Sequence, residues 1–254
     1  MGKIIAVTNQ KGGVGKTTTA VNLTAALGAA RKKVLLVDLD PQGNATSGLG
    51  INKREVPLSS YDVLIAGKEA SQATLRTPYR NVWVLPSHIN LAGAEIELVE
   101  MADRTRGLRA ALLRERDRYD FILIDCPPSL GLLTVNALSA ADSILIPIQC
   151  EYYALEGLSQ LISAVRTVKR MYNSDLEIEG VLLTMYDSRL NLTVQVVDEV
   201  KKHFSGKIFH TVIPRNVRLS EAPSFGQPIL YYDKASRGAQ AYSQLADELI
   251  KNNR

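Results

Sequence analysis

Residues 3–18 read KIIAVTNQKGGVGKTT, and this stretch decides the class of fold. Residues 3–8 form a short apolar run typical of a buried β-strand. A helical pattern follows, in which Ala20, Leu23 and Leu27 recur at steps of three and four and share one face. A glycine-rich turn that joins a strand to a helix is typical of an α/β protein that binds phosphate groups.

Short apolar runs and longer helical patterns alternate along the rest of the chain. The predicted strands are residues 3–8, 33–37, 82–85, 121–125, 143–147, 180–184 and 207–212. The later predicted helices are residues 107–118, 130–139, 154–172, 192–204 and 235–251. Several strands are continuous apolar runs, as expected where helices cover both faces of a sheet. The sequence therefore predicts a doubly wound, mostly parallel α/β sheet, with residues 1–254 forming a single domain.

The composition excludes several classes of protein. Of the 254 residues, 46% are hydrophobic and 22% are charged, which is ordinary for a globular chain. A net charge of +4 is too small to indicate a nucleic-acid partner by itself. Neither Cys126 nor Cys150 lies in a metal-binding pattern, and His88, His203 and His210 are scattered. No apolar run approaches the ~18 residues of a membrane span. We therefore expect a cytoplasmic protein without a membrane partner.

The glycine-rich turn carries the residues expected to hold a nucleotide. Successive backbone N–H groups and the start of the helix form a cradle for anions. The Lys16 ammonium is predicted to meet the β- and γ-phosphates, and the Thr17 hydroxyl to bind Mg²⁺. The residues predicted to contact the nucleotide here are Lys11, Gly12, Gly13, Val14, Gly15, Lys16, Thr17 and Thr18.

The turn departs from the ordinary P-loop pattern, because Gln10 stands where that pattern has glycine. An additional lysine, Lys11, precedes Lys16 in the arrangement K-G-G-x-G-K-T. This arrangement resembles that of the deviant Walker A superfamily of P-loop NTPases, which includes ParA, MinD and the nitrogenase iron protein. The resemblance implies that Lys11 reaches the phosphates of the other subunit in a homodimer closed around two nucleotides. Such a cation would act as an arginine finger does.

Carboxylates follow two of the predicted strands. Asp38 and Asp40 come directly after residues 33–37, and Asp125 ends the strand 121–125. Because ligands bind at the carboxyl ends of parallel strands, these side chains are expected near the phosphates. Asp125 is predicted to support Mg²⁺, as in a Walker B strand. Asp40 is predicted to orient or deprotonate the attacking water. Asp38 is expected to reach Mg²⁺ through water or to hold the loop.

Four further stretches indicate which family of this superfamily the chain resembles. They are residues 38–50 (DLDPQGNATSGLG), 125–133 (DCPPSLGLL), 149–157 (QCEYYALEG) and 213–223 (IPRNVRLSEAP). They resemble the ParA/Soj family of chromosome-partitioning ATPases, and the similarity covers almost the whole chain. The resemblance implies an ATPase with Mg²⁺ that dimerises with ATP and binds non-specific double-stranded DNA on the nucleoid. A ParB-type centromere-binding protein would be its partner.

The resemblance also implies which residues hold the base and the DNA. Pro214 and Asn216 are expected near the adenine, and no guanine-specificity motif follows a predicted strand. Arg189 and Arg218 are expected to contact DNA, and Lys201 and Lys202 are further candidates. A few phosphate contacts per subunit bind weakly, so doubling them in a dimer would let ATP control DNA binding.

Two other functions stay open at this point. A small-molecule synthetase of the same fold would need a pocket for a second substrate, which the sequence neither identifies nor excludes. A MinD-like ATPase that positions the division site would need an amphipathic helix for lipid near its C-terminus. Residues 245–254 (LADELIKNNR) are too short and too acidic for that role.

Overall fold

The computed structural model of the chain describes residues 1–150, 154–204 and 206–253. Residues 151–153 of the stretch 149–157 therefore lie outside the described residues. The strands are β1 (Lys3–Val7), β2 (Val34–Asp38), β3 (Leu75–Arg76), β4 (Val82–Leu85), β5 (Phe121–Asp125), β6 (Ser143–Gln149) and β7 (Glu177–Thr184). They form one sheet in the order β3-β4-β2-β5-β1-β6-β7.

All neighbouring strands pair in parallel except β3, which is antiparallel to β4. The α-helices are α1 (Lys16–Ala29), α2 (Asn44–Gly48), α3 (Ser60–Leu64), α4 (Ala70–Ala73), α5 (Leu91–Glu100), α6 (Gly107–Glu115), α7 (Leu132–Ala140), α8 (Ala154–Met171), α9 (Asn191–His203), α10 (Val217–Glu221), α11 (Ile229–Tyr232) and α12 (Arg237–Asn252). This confirms the predicted doubly wound, mostly parallel α/β fold.

The sheet separates two apolar layers. In β1, Ile4 and Ala6 belong to the layer that also contains residues of α5 to α8. Ile5 and Val7 point the other way, into the layer that contains α1 and α12. All four side chains are fully buried. Because both faces are covered, the central strands are apolar except at their ends, which explains the continuous apolar runs.

The prediction of a strand at residues 207–212 was wrong. This segment meets β7 at an isolated bridge between Ile208 and Val181, and a second isolated bridge, between Pro214 and Tyr186, follows it. The N–H groups of His210 and Thr211 donate to the Glu248 carboxylate, at 2.7 and 2.9 Å. An acidic side chain on α12 thus holds the backbone of this segment.

Helix α5 was not predicted from the sequence. Leu91, Ala94 and Leu98 of this helix are buried, whereas Ile96 and Val99 are exposed. Apolar residues therefore lie on two faces, and the single-face pattern that identifies an amphipathic helix is absent.

Candidate nucleotide site

The loop between β1 and α1 has the geometry of an anion cradle. Gly13 and Gly15 have φ angles of 75° and 89°, in the left-handed region that glycine adopts without strain. Gly12 and Gly13 are exposed, and Lys16 is the first residue of α1. The turn therefore leads directly into a helix N-terminus, where unpaired N–H groups can bind a phosphate.

The Lys16 side chain lies inside this loop. It is 7% exposed, and its ammonium donates to the Lys11 carbonyl oxygen at 2.9 Å. Burial lowers the pKa of Lys16, while the negative charge of Asp125 opposes that shift. The cation is thus held at the centre of the loop, where phosphate oxygens can bind it.

Side chains that the sequence analysis missed hold the loop in place. The Asn9 side chain accepts from the Lys11 N–H at 3.0 Å and donates to the Pro147 carbonyl at 2.8 Å. The Thr184 hydroxyl donates to the Val14 carbonyl at 2.8 Å. Thr184 ends β7, so the strand-end rule that selected Asp125 would also have found it.

Asp125 is a buried carboxylate at the end of β5. Both of its oxygens are buried and make no hydrogen bond among the residues that the structure describes. Burial raises its pKa, and the Asp38 charge adds to the shift, while the nearby Thr17 hydroxyl and Lys16 ammonium favour the charged form. Burying such a group without a partner is costly. Asp125 and Thr17 therefore fit a bound divalent cation.

Magnesium is the cation that suits this donor set. Within the described part of the chain, no group of three or more His, Cys, Asp or Glu residues could hold a metal ion. Mg²⁺ needs no such cage, because it is usually bound through one or two protein groups, substrate phosphates and water. Two oxygen donors beside a phosphate loop match that requirement.

Asp38 has a different environment although it neighbours Asp125. Its carboxylate accepts from the N–H and hydroxyl of Thr46, at 2.8 and 2.7 Å, and from the Asp40 N–H at 3.2 Å. Burial raises the pKa of Asp38 to about 6, although the hydrogen bonds from Thr46 and Asp40 act to lower it. Through these hydrogen bonds, Asp38 holds the loop that follows β2 and the start of α2 in place. A role for Asp38 at the metal stays a prediction.

Asp40 lies in the loop that follows β2. One carboxylate oxygen accepts from the Gln42 N–H at 2.9 Å, and its carbonyl accepts from the Ser87 hydroxyl at 2.6 Å. Its charge acts on both Lys16 and Asp125, which places it near the phosphate loop. The other carboxylate oxygen makes no hydrogen bond within the described ranges, so it is available to a water.

A cleft of about 560 Å³ opens beside the loop. Gly15 and Thr18 line one side, and Pro214 and Asn216 line another. The structure thus brings the residues predicted at the adenine next to those predicted at the phosphates. A volume of this size is within the range of small-molecule sites.

The predicted DNA-binding arginines lie at the same edge of the sheet. Arg189 follows β7 and is highly exposed, and its guanidinium makes two hydrogen bonds with Asp187, at 2.9 and 2.6 Å. Those bonds hold the pKa of Asp187 at about 2. Arg218, on α10, pairs with Glu221 at 2.8 Å. Each arginine therefore has a carboxylate partner that a DNA phosphate would have to replace.

The two predicted lysines lie elsewhere. Lys201 and Lys202 are in the last turn of α9. This turn lies toward the amino edge of the sheet, because Lys207, shortly after it, pairs with Glu177 at the start of β7. Lys201 and Lys202 pair with Asp198 and Glu199 at 3.7 and 2.7 Å. The structure therefore does not bring the lysines together with the arginines into one basic patch.

Comparison with known proteins gives matches over nearly the whole chain. A family model described as an AAA domain matches residues 2–178. The sporulation initiation inhibitor protein Soj of Bacillus subtilis is 61% identical over 252 residues, covering 99% of this chain and 100% of that protein. The chromosome partitioning protein ParA of Myxococcus xanthus is 53% identical over 253 residues, covering 100% and 89%.

A solved structure is similar over the same length. It is described as cobyrinic acid a,c-diamide synthase from Mycobacterium smegmatis with bound ATP analogue and magnesium. It is 38% identical, with a TM-score of 0.89, and the match covers 100% of this chain and 96% of that one.

Proposed function

Because the chain belongs to the ParA/Soj family of chromosome-partitioning ATPases, we propose that it is an ATP-dependent dimerising switch that binds DNA without sequence preference. It is an ATPase whose cofactors are ATP and Mg²⁺. The observation that carries the proposal is the position of the buried Lys16 ammonium beside the Asp125 carboxylate, which has no hydrogen-bond partner among the described residues.

We infer the roles of the loop residues from their positions. Lys16 binds the β- and γ-phosphates together with the N–H groups of residues 12–18, and Thr17 and Asp125 hold Mg²⁺. When bound, Mg²⁺ shields the negative charge of the phosphates. Asp40 orients the attacking water through its available oxygen. Pro214 and Asn216 support the adenine in the cleft beside them.

Dimerisation places a second lysine at each nucleotide. Gly12 and Gly13 are exposed, so a second copy can approach the loop closely. The Lys11 side chain would then reach the partner's phosphates and stabilise charge that develops during hydrolysis. Hydrolysis would remove that shared charge and open the dimer, which resets the switch.

DNA binding would depend on the dimer through the number of phosphate contacts. Arg189 and Arg218 lie at the nucleotide edge, and two subunits double them. Lys201 and Lys202, at the other edge, would be a separate and weaker contact. The protein would then act in the cytoplasm on the nucleoid, with a ParB-type centromere-binding partner that stimulates hydrolysis.

One experiment tests this function. Retention of the full chain on non-specific double-stranded DNA is measured with ATP, ADP or no nucleotide, over a range of salt concentrations. We expect retention with ATP alone and its steep loss with salt, because affinity depends on displaced counterions. Equal retention in all three nucleotide states would contradict the proposal.

The synthetase function is supported by the description of the Mycobacterium smegmatis structure. That protein is 38% identical, whereas the relatives described as Soj and ParA are 61% and 53% identical. A synthetase would consume ATP only when its acid substrate is present. ATP turnover that cobyrinic acid stimulates and DNA does not would therefore favour this alternative.

The last helix, α12, gives little support to the MinD-like function. Tyr242, Leu245 and Leu249 of α12 are fully buried, in the same apolar layer as α1. Their apolar face is therefore already covered and does not offer lipid a surface. No helix in the described part of the chain has the length and hydrophobicity needed to cross a membrane.

A further inference from the structure

Ser87 joins the loop that carries Asp40 to the end of another strand. It lies two residues after Leu85, the last residue of β4, and it is fully buried. Its hydroxyl donates to the Asp40 carbonyl at 2.6 Å, between positions that are 47 residues apart in the chain. A short hydrogen bond from a buried side chain therefore fixes this loop against the segment that follows β4.

The loop has the form of a turn that its own hydrogen bonds close. The Gly43 N–H donates to the Asp40 carbonyl at 2.9 Å, and the Gln42 N–H donates to the Asp40 carboxylate at 2.9 Å. Both bonds lie within the turn, so they hold its shape but not its position against the sheet. From outside the turn, the Asp38 carboxylate accepts from the Asp40 N–H at a longer 3.2 Å. The 2.6 Å bond from Ser87 is thus the closer of these two external contacts.

Ser87 is itself held in place by the surrounding backbone. Its N–H donates to the Thr46 hydroxyl oxygen at 2.9 Å, and that hydroxyl donates to the Asp38 carboxylate at 2.7 Å. The Pro86 carbonyl, just before Ser87, accepts from the Ser60 N–H at 2.8 Å. A donor that is fixed in this way can define the position of the group that accepts from it.

We infer that Ser87 is a positioning residue for ATP hydrolysis. Its hydroxyl fixes the backbone from which the Asp40 carboxylate projects, and so keeps the available carboxylate oxygen where it can orient the attacking water. Misplacement of a reacting group by about 1 Å can slow a reaction about 10²-fold. Ser87 acts through Asp40, so this inference rests on the proposed function, which assigns the water to Asp40.

ATP turnover by the full chain with Ser87→Ala tests this role. We expect kcat to fall about tenfold while the KM for ATP changes less than about twofold, because an interaction that serves only the transition state is lost. The Asp40 carbonyl keeps the Gly43 N–H as a donor, so the substitution does not leave that carbonyl unpaired and the variant should fold.

Ser143→Ala is the matched control. Ser143 begins β6, at the opposite edge of the sheet, and it is fully buried. Its hydroxyl donates to the Glu179 carboxylate, also at 2.6 Å. Both variants therefore lose one short hydrogen bond from a buried serine, and each should lower Tm by a few degrees. Only Ser87→Ala should lower kcat.

A double variant separates positioning of Asp40 from a general loosening of the site. Adding Ser87→Ala to a chain that already has Asp40→Ala should cause no further loss of single-turnover hydrolysis, because both substitutions remove the action of the same carboxylate. A general loosening would slow hydrolysis in either chain. Ser87→Cys is a second single variant, since its thiol occupies the same place but is a weak donor, and we expect it also to lower kcat.

The outcomes distinguish this inference from the proposed function. If kcat is unchanged in Ser87→Ala, or falls further in the double variant, Ser87 does not act through Asp40 and the proposed function is unaffected. A loss of ATP affinity as large as the loss of kcat would overturn the inference in the same way. Should Ser87→Ala fail to fold, Ser87→Cys decides by the same comparisons. Normal turnover by Asp40→Ala alone would overturn the role proposed for Asp40, and this inference with it.

Discussion

Asp38 and Asp125 occupy paired positions on β2 and β5, at the carboxyl ends of neighbouring parallel strands. Both carboxyl groups are fully buried, and each raises the cost of charging the other. The N–H and hydroxyl groups of Thr46 donate hydrogen bonds to the Asp38 carboxylate, whereas Asp125 makes no hydrogen bond among the described residues. Asp38 therefore holds the loop, and the Asp125 carboxylate is available to bind a cation.

The first prediction concerns Asp125→Asn without nucleotide or Mg²⁺. Because the pKa of Asp125 is raised in the folded state, the unfolded chain loses that proton first, from about pH 4 upward. Stability of the unchanged chain should therefore fall, relative to the variant, as pH rises through the folded pKa. We expect the variant to gain a few degrees in Tm between pH 5 and 8, measured by calorimetry.

Its control is Asp117→Asn, since Asp117 is exposed. ATP with Mg²⁺ should stabilise the unchanged chain and much less the Asp125→Asn variant. A Tm difference that does not depend on pH would contradict this account of Asp125.

The second prediction concerns Asp40→Ala. ATP binding should be retained, because Asp40 is not among the groups that hold the phosphates, while turnover should fall about 10²- to 10⁴-fold, as expected on loss of a residue that handles the water proton. Single-turnover hydrolysis and binding of a fluorescent ATP analogue separate the two effects. Normal turnover would remove Asp40 from the water-positioning role.

The third prediction separates the two lysines of the loop. Lys16→Ala should lose ATP binding at least about tenfold, because the charge-assisted contact with the phosphates is removed. Lys11→Ala should still bind ATP as a monomer and fail to dimerise. Light scattering after gel filtration, with ATP and Mg²⁺, measures the mass of each variant. The dimer model would fail if the chain with Asp40→Ala stayed monomeric at saturating ATP.

The fourth prediction concerns the pair of Arg189 and Asp187. Arg189→Ala should weaken ATP-dependent DNA retention and reduce its salt dependence, because phosphate contacts are lost. Asp187→Asn should strengthen retention, since it frees the guanidinium from the carboxylate that now binds it. Lys33→Ala, an exposed lysine at the other edge of the sheet, serves as the control. Equal retention by all three variants would exclude Arg189 from the DNA surface.

Strand ends and the phosphate loop could be predicted from the sequence because each is a local pattern. Residues 3–18 contain a strand, a turn and a helix start in order, and the parallel fold then fixes which edge carries the ligand. Asp40 and Asp125 followed from the same rule. The sequence did not distinguish Asp38 from Asp125, because the hydrogen bonds from Thr46 depend on how the loop folds back.

The tertiary structure decided what distant residues do to one another. Glu248 lies on the last helix, yet its carboxylate accepts hydrogen bonds from two N–H groups of the segment 207–212, which does not form a regular strand. One apolar face of α5 packs into the core, whereas Ile96, on the other face, is exposed. The packing of the helix alone distinguishes these two faces. Local sequence determines the shape of a turn, whereas the partners of buried and exposed groups are set by packing between segments far apart in the chain.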